Sequence, residues 1–452
     1  MSENPIIILA GTRPEAIKVA PVIWWLDRLG VDYIFAWSGQ HYDYEMSSVF
    51  FEQLQLPKPD EYLNVGIGVH DIAQQVALLI QKIVSMAKRR KFKLIYSLGD
   101  TNTTLASALA SVYVTKPFVH DEAGMRSFDS SMVEEANRRA ADAIANFRLA
   151  PTKIAVLNLL CEGILPSTIE LVGSTVVDAL IYVISRNLLR EDVFNIYDVN
   201  PSQYLLFTLH RRENLTERRL PRLISILIEI AHKLPDYKVI FPIHPHTKKY
   251  IEGMGLTKTL THTNVQLTRP LGYFEFITLL KNARLVITDS GGVQEEAFIL
   301  GRRTVTLRKT TEWPETTILG YNYLIDPDID RAADIIVKSV ELEELNPPQL
   351  STCPLGDGNA GRRVAKLLQL LTESNIERGL EVSGYPLPHL TTRADSPSLC
   401  FRNRSPVIYE ELEDGYSDEI CVTRENLSSE EMLKIIKVNW MKVDKLIENK
   451  KI

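Results

Sequence analysis

Two stretches decide the fold: Ile8-Leu9-Ala10-Gly11-Thr12-Arg13-Pro14-Glu15 near the start, and Thr288-Asp289-Ser290-Gly291-Gly292-Val293-Gln294-Glu295-Glu296 well past the middle. In each, an apolar run meets small residues and then opens a helix. Such a junction offers backbone N–H groups and a positive dipole end to an anion. The pair is expected to form facing halves of one phosphate-binding cleft.

Outward from these junctions the chain alternates. Short apolar runs at Ile6 to Ala10, Tyr33 to Trp37, Leu94 to Tyr96, Phe118 to His120, Phe147 to Leu149 and Ile169 to Val172 are separated by helical patterns. Those patterns fall at Pro14 to Arg28, Asp71 to Lys88, Asn102 to Tyr113 and Glu134 to Ala145. The second half repeats the rhythm, with runs at Tyr204 to Thr208, Lys238 to Phe241, Val265 to Leu267, Leu285 to Thr288, Thr304 to Leu307 and Tyr323 to Ile325. Its helices are expected at Val176 to Ser185, Arg219 to Lys233, Tyr273 to Asn282, Val293 to Leu300 and Arg331 to Leu342. Alternation of this kind means parallel sheets covered on both faces, with ligands beyond the C-terminal strand ends.

The expected class is therefore α/β, with two Rossmann-like, doubly wound domains at 1–173 and 174–358 and a helix within 359–374 crossing back onto the first. From 375 onward Pro, Ser and charge mark a linker-like segment. Ser428 with Glu431 then forms a capping box ahead of Leu433, Ile436, Trp440, Val443 and Ile447 at helical spacing. That last helix needs a partner surface, either its own body or a subunit interface.

A chain of 452 residues exceeds the size at which one core stops growing. Its 45% hydrophobic and 24% charged content is that of a globular protein. A net charge of −6 provides no global attraction to nucleic acid or anionic lipid, so phosphate binding has to come from local groups. Cys161, Cys353, Cys400 and Cys421 lack the short spacings of a metal site or redox pair. No stretch approaches the roughly 18 apolar residues of a membrane span, and the first residues carry no export signal. A soluble, cytoplasmic protein is expected, with no nucleic-acid partner, no membrane and no metal.

Candidate site residues cluster at the expected strand ends. Pro14 suits a first helical turn, which leaves Arg13 and Lys18 able to reach a phosphate at the helix mouth. Asp100 and Thr101 follow the next central strand, where both also read as simple helix caps. Asp121 and Glu122 end another, and Glu134 opens a helix, where acidic residues also serve as dipole partners. Carboxylates converging on one crevice are expected to raise at least one pKa. His210, Arg211 and Arg212 end a strand of the second half as a basic cluster. His244-Pro245-His246 lacks a third metal ligand. Gly291 and Gly292 let the backbone approach a diphosphate with Ser290 as a further donor, and Glu296 is placed to accept from ribose hydroxyls. No Gly-Lys-Ser/Thr follows, so this is not a Walker loop.

Together these motifs resemble the non-hydrolysing UDP-N-acetylglucosamine 2-epimerases. The resemblance runs over residues 5 to 373 and is carried, in order, by Gly11-Thr12-Arg13-Pro14-Glu15-Ala16-Ile17-Lys18, Gly39-Gln40-His41, Gly99-Asp100-Thr101, Glu122-Ala123-Gly124, Glu134-Glu135-Ala136-Asn137-Arg138, His210-Arg211-Arg212-Glu213-Asn214 and Asp289 to Glu296. It implies a two-domain fold like that of B-type glycosyltransferases, with the nucleotide sugar in the interdomain cleft. It implies that Arg13, Lys18, His210, Phe276, Ser290, Gly291, Gly292 and Glu296 hold the UDP part. Asp100, Glu122 and Glu134 would flank the sugar, with His210 steadying the leaving diphosphate. The substrate it implies is UDP-GlcNAc, interconverted with UDP-ManNAc by a homodimer without a redox cofactor.

The chain also departs from the pattern. Where the family usually has Thr-Thr-Glu-Arg-Pro-Glu, this chain has Thr310-Thr311-Glu312-Trp313-Pro314-Glu315, which suggests either a different sugar or a base-stacking wall. Asp121 replaces an apolar residue, the loop from Ser127 to Val133 is shortened, and the C-terminal tail is additional. A glycosyltransferase on the same fold and a nucleotide-sugar sensor remain the competing expectations.

Overall fold

The computed structural model describes residues 5–39, 44–66, 71–260 and 263–373, with two further strands at 398–402 and 419–423. The described body divides into two compact units, 5–179 with 350–373, and 180–349.

The first unit runs β1 (Ile6–Ala10), α1 (Arg13–Leu29), β2 (Tyr33–Trp37), α2 (Tyr44–Gln53), β3 (Glu61–Tyr62), α3 (Ile72–Lys88), β4 (Ile95–Leu98), α4 (Asn102–Tyr113), β5 (Phe118–Asp121), α5 (Val133–Ile144), β6 (Phe147–Ala150), α6 (Lys153–Cys161), β7 (Ile169–Leu171) and the first half of α7 (Thr175–Ser185), within which the division falls. Its sheet is parallel, in the order β3-β2-β1-β4-β5-β6-β7. β1 is an unbroken apolar run because it lies at the centre, where both faces are covered and every residue is buried. Ile7 and Leu9 point to one face, where they pack with Leu79, Ile83 and Met86 of α3 and Ala106 and Ala110 of α4. Full burial of such a side chain contributes about 1.5–3 kcal/mol.

The second unit runs α8 (Asp192–Tyr197), β8 (Tyr204–Thr208), α9 (Arg219–Lys233), β9 (Lys238–Pro242), α10 (Pro245–Gly253), α11 (Thr257–Leu260), β10 (Val265–Thr268), α12 (Tyr273–Asn282), β11 (Leu285–Thr288), α13 (Gly291–Ile299), β12 (Thr304–Thr306), α14 (Pro314–Ile318), β13 (Asn322–Leu324) and α15 (Ala332–Glu341). This sheet is also parallel, in the order β10-β9-β8-β11-β12-β13. Leu205, Phe207, Val239, Phe241 and Ile287 pack with Leu223 and Leu227 of α9 and Ile336 of α15. Both units are thus Rossmann-like.

The helix α16 (Ala360–Glu373) returns to the first unit and packs on α1. A side chain at Gly361 would fall 2.7 Å from the Pro21 Cβ, so the close approach requires glycine there. The Asp178 carboxylate accepts from the Ala360 and Gly361 N–H groups at 3.2 and 2.9 Å, capping the helix start from α7.

Most expected elements form with ends moved by a residue or two. The sequence reading missed α6, whose Lys-Ile-Ala-Val-Leu-Asn-Leu-Leu-Cys is apolar on nearly every side and so has no 3.6-residue pattern to detect. It also missed the short α2, α8, α10, α11 and α14. Within the segment taken as linker, β14 (Ser398–Arg402) and β15 (Glu419–Thr423) pair antiparallel. The helix expected from Ser428 lies outside the described residues, as do Gln40 and His41.

Candidate active site

In the first unit the strand order reverses between β1 and β4, and the crevice at such a switch point is where doubly wound sheets take ligands. At the end of β1, Thr12 caps α1 and Glu15 closes the capping box. The Glu15 Oε2 accepts from the Gly11 N–H and Thr12 N–H at 2.8 Å each and from the Thr12 hydroxyl at 2.9 Å. Its Oε1 accepts from the Thr101 hydroxyl at 2.7 Å. The Gly11 and Thr12 N–H groups, which the sequence reading left free for an anion, are thus bonded within the loop to Glu15. The junction is a self-bonded loop that ties β1 to β4, and Glu15 is only 2% exposed. Burial pushes its carboxyl up to about 7 against the opposing Thr101, Gly11 and Thr12 hydrogen bonds.

Lys18, in the second turn of α1, places its ammonium 2.7 Å from the Glu122 Oε2. Glu122 therefore meets a cation, while its Oε1 is buried without a hydrogen-bond partner. Glu122 follows β5 with φ +60°, a left-handed conformation unusual for a residue with a side chain. The carboxyl that is raised among the strand-end residues is that of Asp121, to about 6, through burial first, opposed by the Tyr96 hydrogen bond and reinforced by the Glu122 charge. Arg13 lies at the start of α1 with its guanidinium 5.8 Å from the Phe50 ring centroid.

Asp100, beyond β4, pairs with Arg138 of α5. Thr101, rather than Asp100, caps α4. Arg138 also binds Glu135 at 3.2 Å, and Asn137 donates to the Asp100 carbonyl at 2.9 Å. Glu135 is committed to this framework, accepting from the Ser127 N–H and hydroxyl at 2.9 and 3.0 Å. Glu134, its neighbour on the first turn of α5, is half-buried. His120 is buried beneath the same loops, its Nδ1 2.7 Å from Asp142 and its Nε2 2.8 Å from the Gly99 carbonyl. Both neighbours are acceptors, so the ring satisfies them only with both nitrogens protonated. Burial lowers its pKa, but the Asp142 charge and hydrogen bond outweigh that and raise it.

In the second unit the strand order reverses between β8 and β11, joined by a Thr208–Thr288 hydroxyl pair at 2.6 Å. Beyond them the buried Asp289 organises the β8 loop. It accepts from the His210 and Arg211 N–H groups at 3.1 and 2.9 Å, from the Asn214 amide at 3.0 Å, and from the His210 Nδ1 at 2.9 Å. The His210 side chain is 48% exposed, which leaves its Nε2 side open. Arg211 is drawn away from the expected basic cluster: it bonds the Asp289 carbonyl at 3.0 Å and Glu312 at 3.3 Å. Arg308 clamps Glu312 with two contacts at 2.8 and 2.9 Å.

Ser290 caps α13, accepting from Val293 N–H at 3.4 Å. Gly291 and Gly292 supply the first two helical N–H groups, which have no partner within a helix. A Cβ at Gly291 would lie 3.2 Å from Glu312, while one at Gly292 would come no nearer than 4.0 Å to the Ser290 Oγ. Glu296 lies one turn further and is buried; its carboxylate faces the Tyr273 hydroxyl, whose pKa is held well above the usual phenol range by burial and by that charge. Phe276 is half-buried on α12. Trp313 is 4% exposed at the start of α14.

The structure thus brings Arg13, Lys18, Asp100, Glu122 and Glu134 to one end of the first sheet, and His210, Ser290, Gly291, Gly292 and Glu296 to one end of the second. Sequence reasoning missed the parts played by Glu15, Tyr96, Asp121, Asp289 and Glu312. The capping-box spacing Thr12–Glu15 was a readable signal for the first. Among the described residues no group of three His, Cys, Asp or Glu could hold a metal, and no helix is long and apolar enough to cross a membrane.

Comparison with known proteins bears on the same residues. The family model described as UDP-N-acetylglucosamine 2-epimerase matches residues 26–369. The UDP-N-acetylglucosamine 2-epimerase of Methanocaldococcus jannaschii is 39% identical over 365 residues, spanning 80% of this chain and 98% of that protein. The UDP-2,3-diacetamido-2,3-dideoxy-D-glucuronate 2-epimerase of Pseudomonas aeruginosa is 36% identical, spanning 81% and 99%. The crystal structure of the Methanocaldococcus jannaschii UDP-GlcNAc 2-epimerase in complex with UDP-GlcNAc and UDP superposes with a TM-score of 0.74 at 37% identity, covering 81% of this chain and 99% of that one. On this match in sequence and fold, the chain belongs to the UDP-N-acetylglucosamine 2-epimerase family.

Proposed function

We propose that the protein is a non-hydrolysing isomerase that interconverts UDP-GlcNAc and UDP-ManNAc. The observation that carries the reading is the pair of carboxylates, Asp100 and Glu122, at the ends of the adjacent strands β4 and β5, supplied within one family that acts on this substrate. C2 of an N-acetylhexosamine has no adjacent carbonyl, so its proton is not acidic. In the proposed reaction a carboxylate takes the C2 proton while the C1–O bond to UDP breaks, leaving a glycal and UDP. UDP then re-adds at C1 as a proton returns to the opposite face of C2. Two faces need two acid/base groups, for which Asp100, Glu122 and Glu134 are the candidates.

Ser290, the Gly291 and Gly292 N–H groups, Arg13, His210, Phe276 and Glu296 are assigned to the UDP part. The exposed His210 ring and the α13 N-terminus would stabilise charge as it develops on the diphosphate. Lys18 is assigned jointly, since its ion pair with Glu122 supports a place beside the sugar as well as the phosphate. We take the domains as 1–173 with 359–374, 174–358, and the tail 375–452. The four cysteines, scattered without the spacing of a metal site or redox pair, support a cytoplasmic setting, and the family supports a homodimer.

Incubation with UDP-GlcNAc in heavy water tests the reading. Deuterium at C2 without any acceptor, with UDP-ManNAc as product, is expected. Free ManNAc would mean a hydrolysing enzyme, and absence of exchange with transfer to an acceptor would mean a glycosyltransferase. A modified UDP-N-acetylhexosamine is the second reading, favoured by the Pseudomonas aeruginosa relative and by Trp313 in place of a cation. A higher kcat/KM on the diacetamido uronate sugar would select it.

A further inference from the structure

We propose that Asp121, held by the Tyr96 hydroxyl, is the positioning residue that fixes the Glu122 backbone and so aims its carboxylate; the inference rests on the catalytic reading of Glu122 above. Asp121 closes β5 and is buried. Its Oδ2 accepts from the Tyr96 hydroxyl at 2.6 Å, across from the neighbouring strand β4. Its Oδ1 accepts from the Glu122 N–H at 2.8 Å. One carboxylate therefore links a fully buried phenol to the backbone of the next residue.

That residue has a conformation in need of such support. Glu122 sits at φ +60°, which a residue with a side chain retains only when its surroundings hold it. The turn sends its carboxylate to Lys18, which binds Oε2 at 2.7 Å and leaves Oε1 buried and without a partner. The bare oxygen is the one available to a proton.

A buried acid beside a second carboxylate is unfavourable for the fold. Burial and the Glu122 charge both push Asp121 upward, against the Tyr96 hydrogen bond. An apolar residue would close β5 without that penalty, yet could not accept from the Glu122 N–H. The placement is accounted for if its purpose is to direct Glu122.

The test compares the full-length wild type with Asp121→Ala, Asp121→Asn, Tyr96→Phe and Glu122→Gln, measuring deuterium incorporation at C2 of UDP-GlcNAc and UDP binding by calorimetry. Asp121→Ala is expected to lower kcat about 100-fold, with KM and UDP affinity within about threefold, as expected of a displaced catalytic group. Asp121→Asn keeps an acceptor for the Glu122 N–H and should recover most of that loss, with Tyr96→Phe falling between the two. A kcat for Asp121→Ala within about threefold of wild type, a loss confined to KM, or an Asn variant as poor as the Ala variant overturns the proposal. Should Asp121→Ala not fold, Tyr96→Phe decides alone, and a wild-type kcat there overturns it. Glu122→Gln separates the two levels of inference. Full activity in that variant defeats the catalytic reading itself, whereas an inactive Glu122→Gln beside a fully active Asp121→Ala defeats only the positioning role.

Discussion

The His210 Nδ1 lies 2.9 Å from the Asp289 Oδ1, and the same carboxylate also takes the backbone N–H groups of His210 and Arg211. Asp289 thus sets both the ring and the loop that carries it. Burial pushes its carboxyl up, but the His210 charge and hydrogen bond, the Asn214 amide and the Arg211 N–H pull it down to about 2.

A carboxyl depressed from 3.8 to about 2 contributes stability that is present above about pH 4 and lost as pH falls through about 2, on the order of 2 kcal/mol. Asp289→Asn should therefore flatten the fall in stability between pH 4 and pH 2. Denaturant midpoints at both values check this. A variant that keeps the full wild-type difference would remove Asp289 from the account of acid stability.

Glu15 carries the opposite sign. Its carboxyl is raised from 4.5 to about 7, so its contribution is fully present below pH 4.5 and is lost as pH rises through about 7. Up to about 3 kcal/mol is at stake, less whatever the loop recovers by relaxing. Glu15→Gln keeps an acceptor for the Gly11 and Thr12 groups but does not titrate. Its melting temperature should change less between pH 5 and pH 8 than that of the wild type, and an unchanged difference would contradict the assignment.

Asp100→Asn, Glu122→Gln and Glu134→Gln should each retain UDP binding while turnover falls about 10²–10⁴-fold, the range expected when a general acid or base is removed. Calorimetry with UDP and C2 exchange with UDP-GlcNAc read the two effects separately. Wild-type rates in all three would end their catalytic assignment.

Gly11→Ala should destabilise the first unit by about 1–3 kcal/mol, the usual cost of overpacking. A Cβ there would fall 1.7 Å from the Ser38 Oγ, which is itself bonded to Thr103 at 2.8 Å. Gly292→Ala meets no atom nearer than 4.0 Å and is expected to fold normally, so any loss it shows should be in UDP affinity. Equal melting temperatures for Gly11→Ala and wild type would contradict the packing argument.

The sequence by itself determined the α/β class, the course of β1 and β8, and the strand ends that carry Asp100, Glu122, His210 and Gly291. Each depends on local information: a strand buried on both faces has to be an apolar run, and a helix start needs a cap and small residues. What only the tertiary structure decided is which groups those residues meet. At the Gly11–Glu15 junction, Glu15 folds back on its own loop and takes the Gly11 and Thr12 N–H groups. Lys18 reads as a phosphate ligand, yet it lies on Glu122, 104 residues away in the chain. Tyr96 and Asp121 are 25 residues apart and meet only because β4 and β5 are neighbours in register. Long-range pairing and burial depend on strand order, and strand order is a property of the whole sheet, which no single motif encodes.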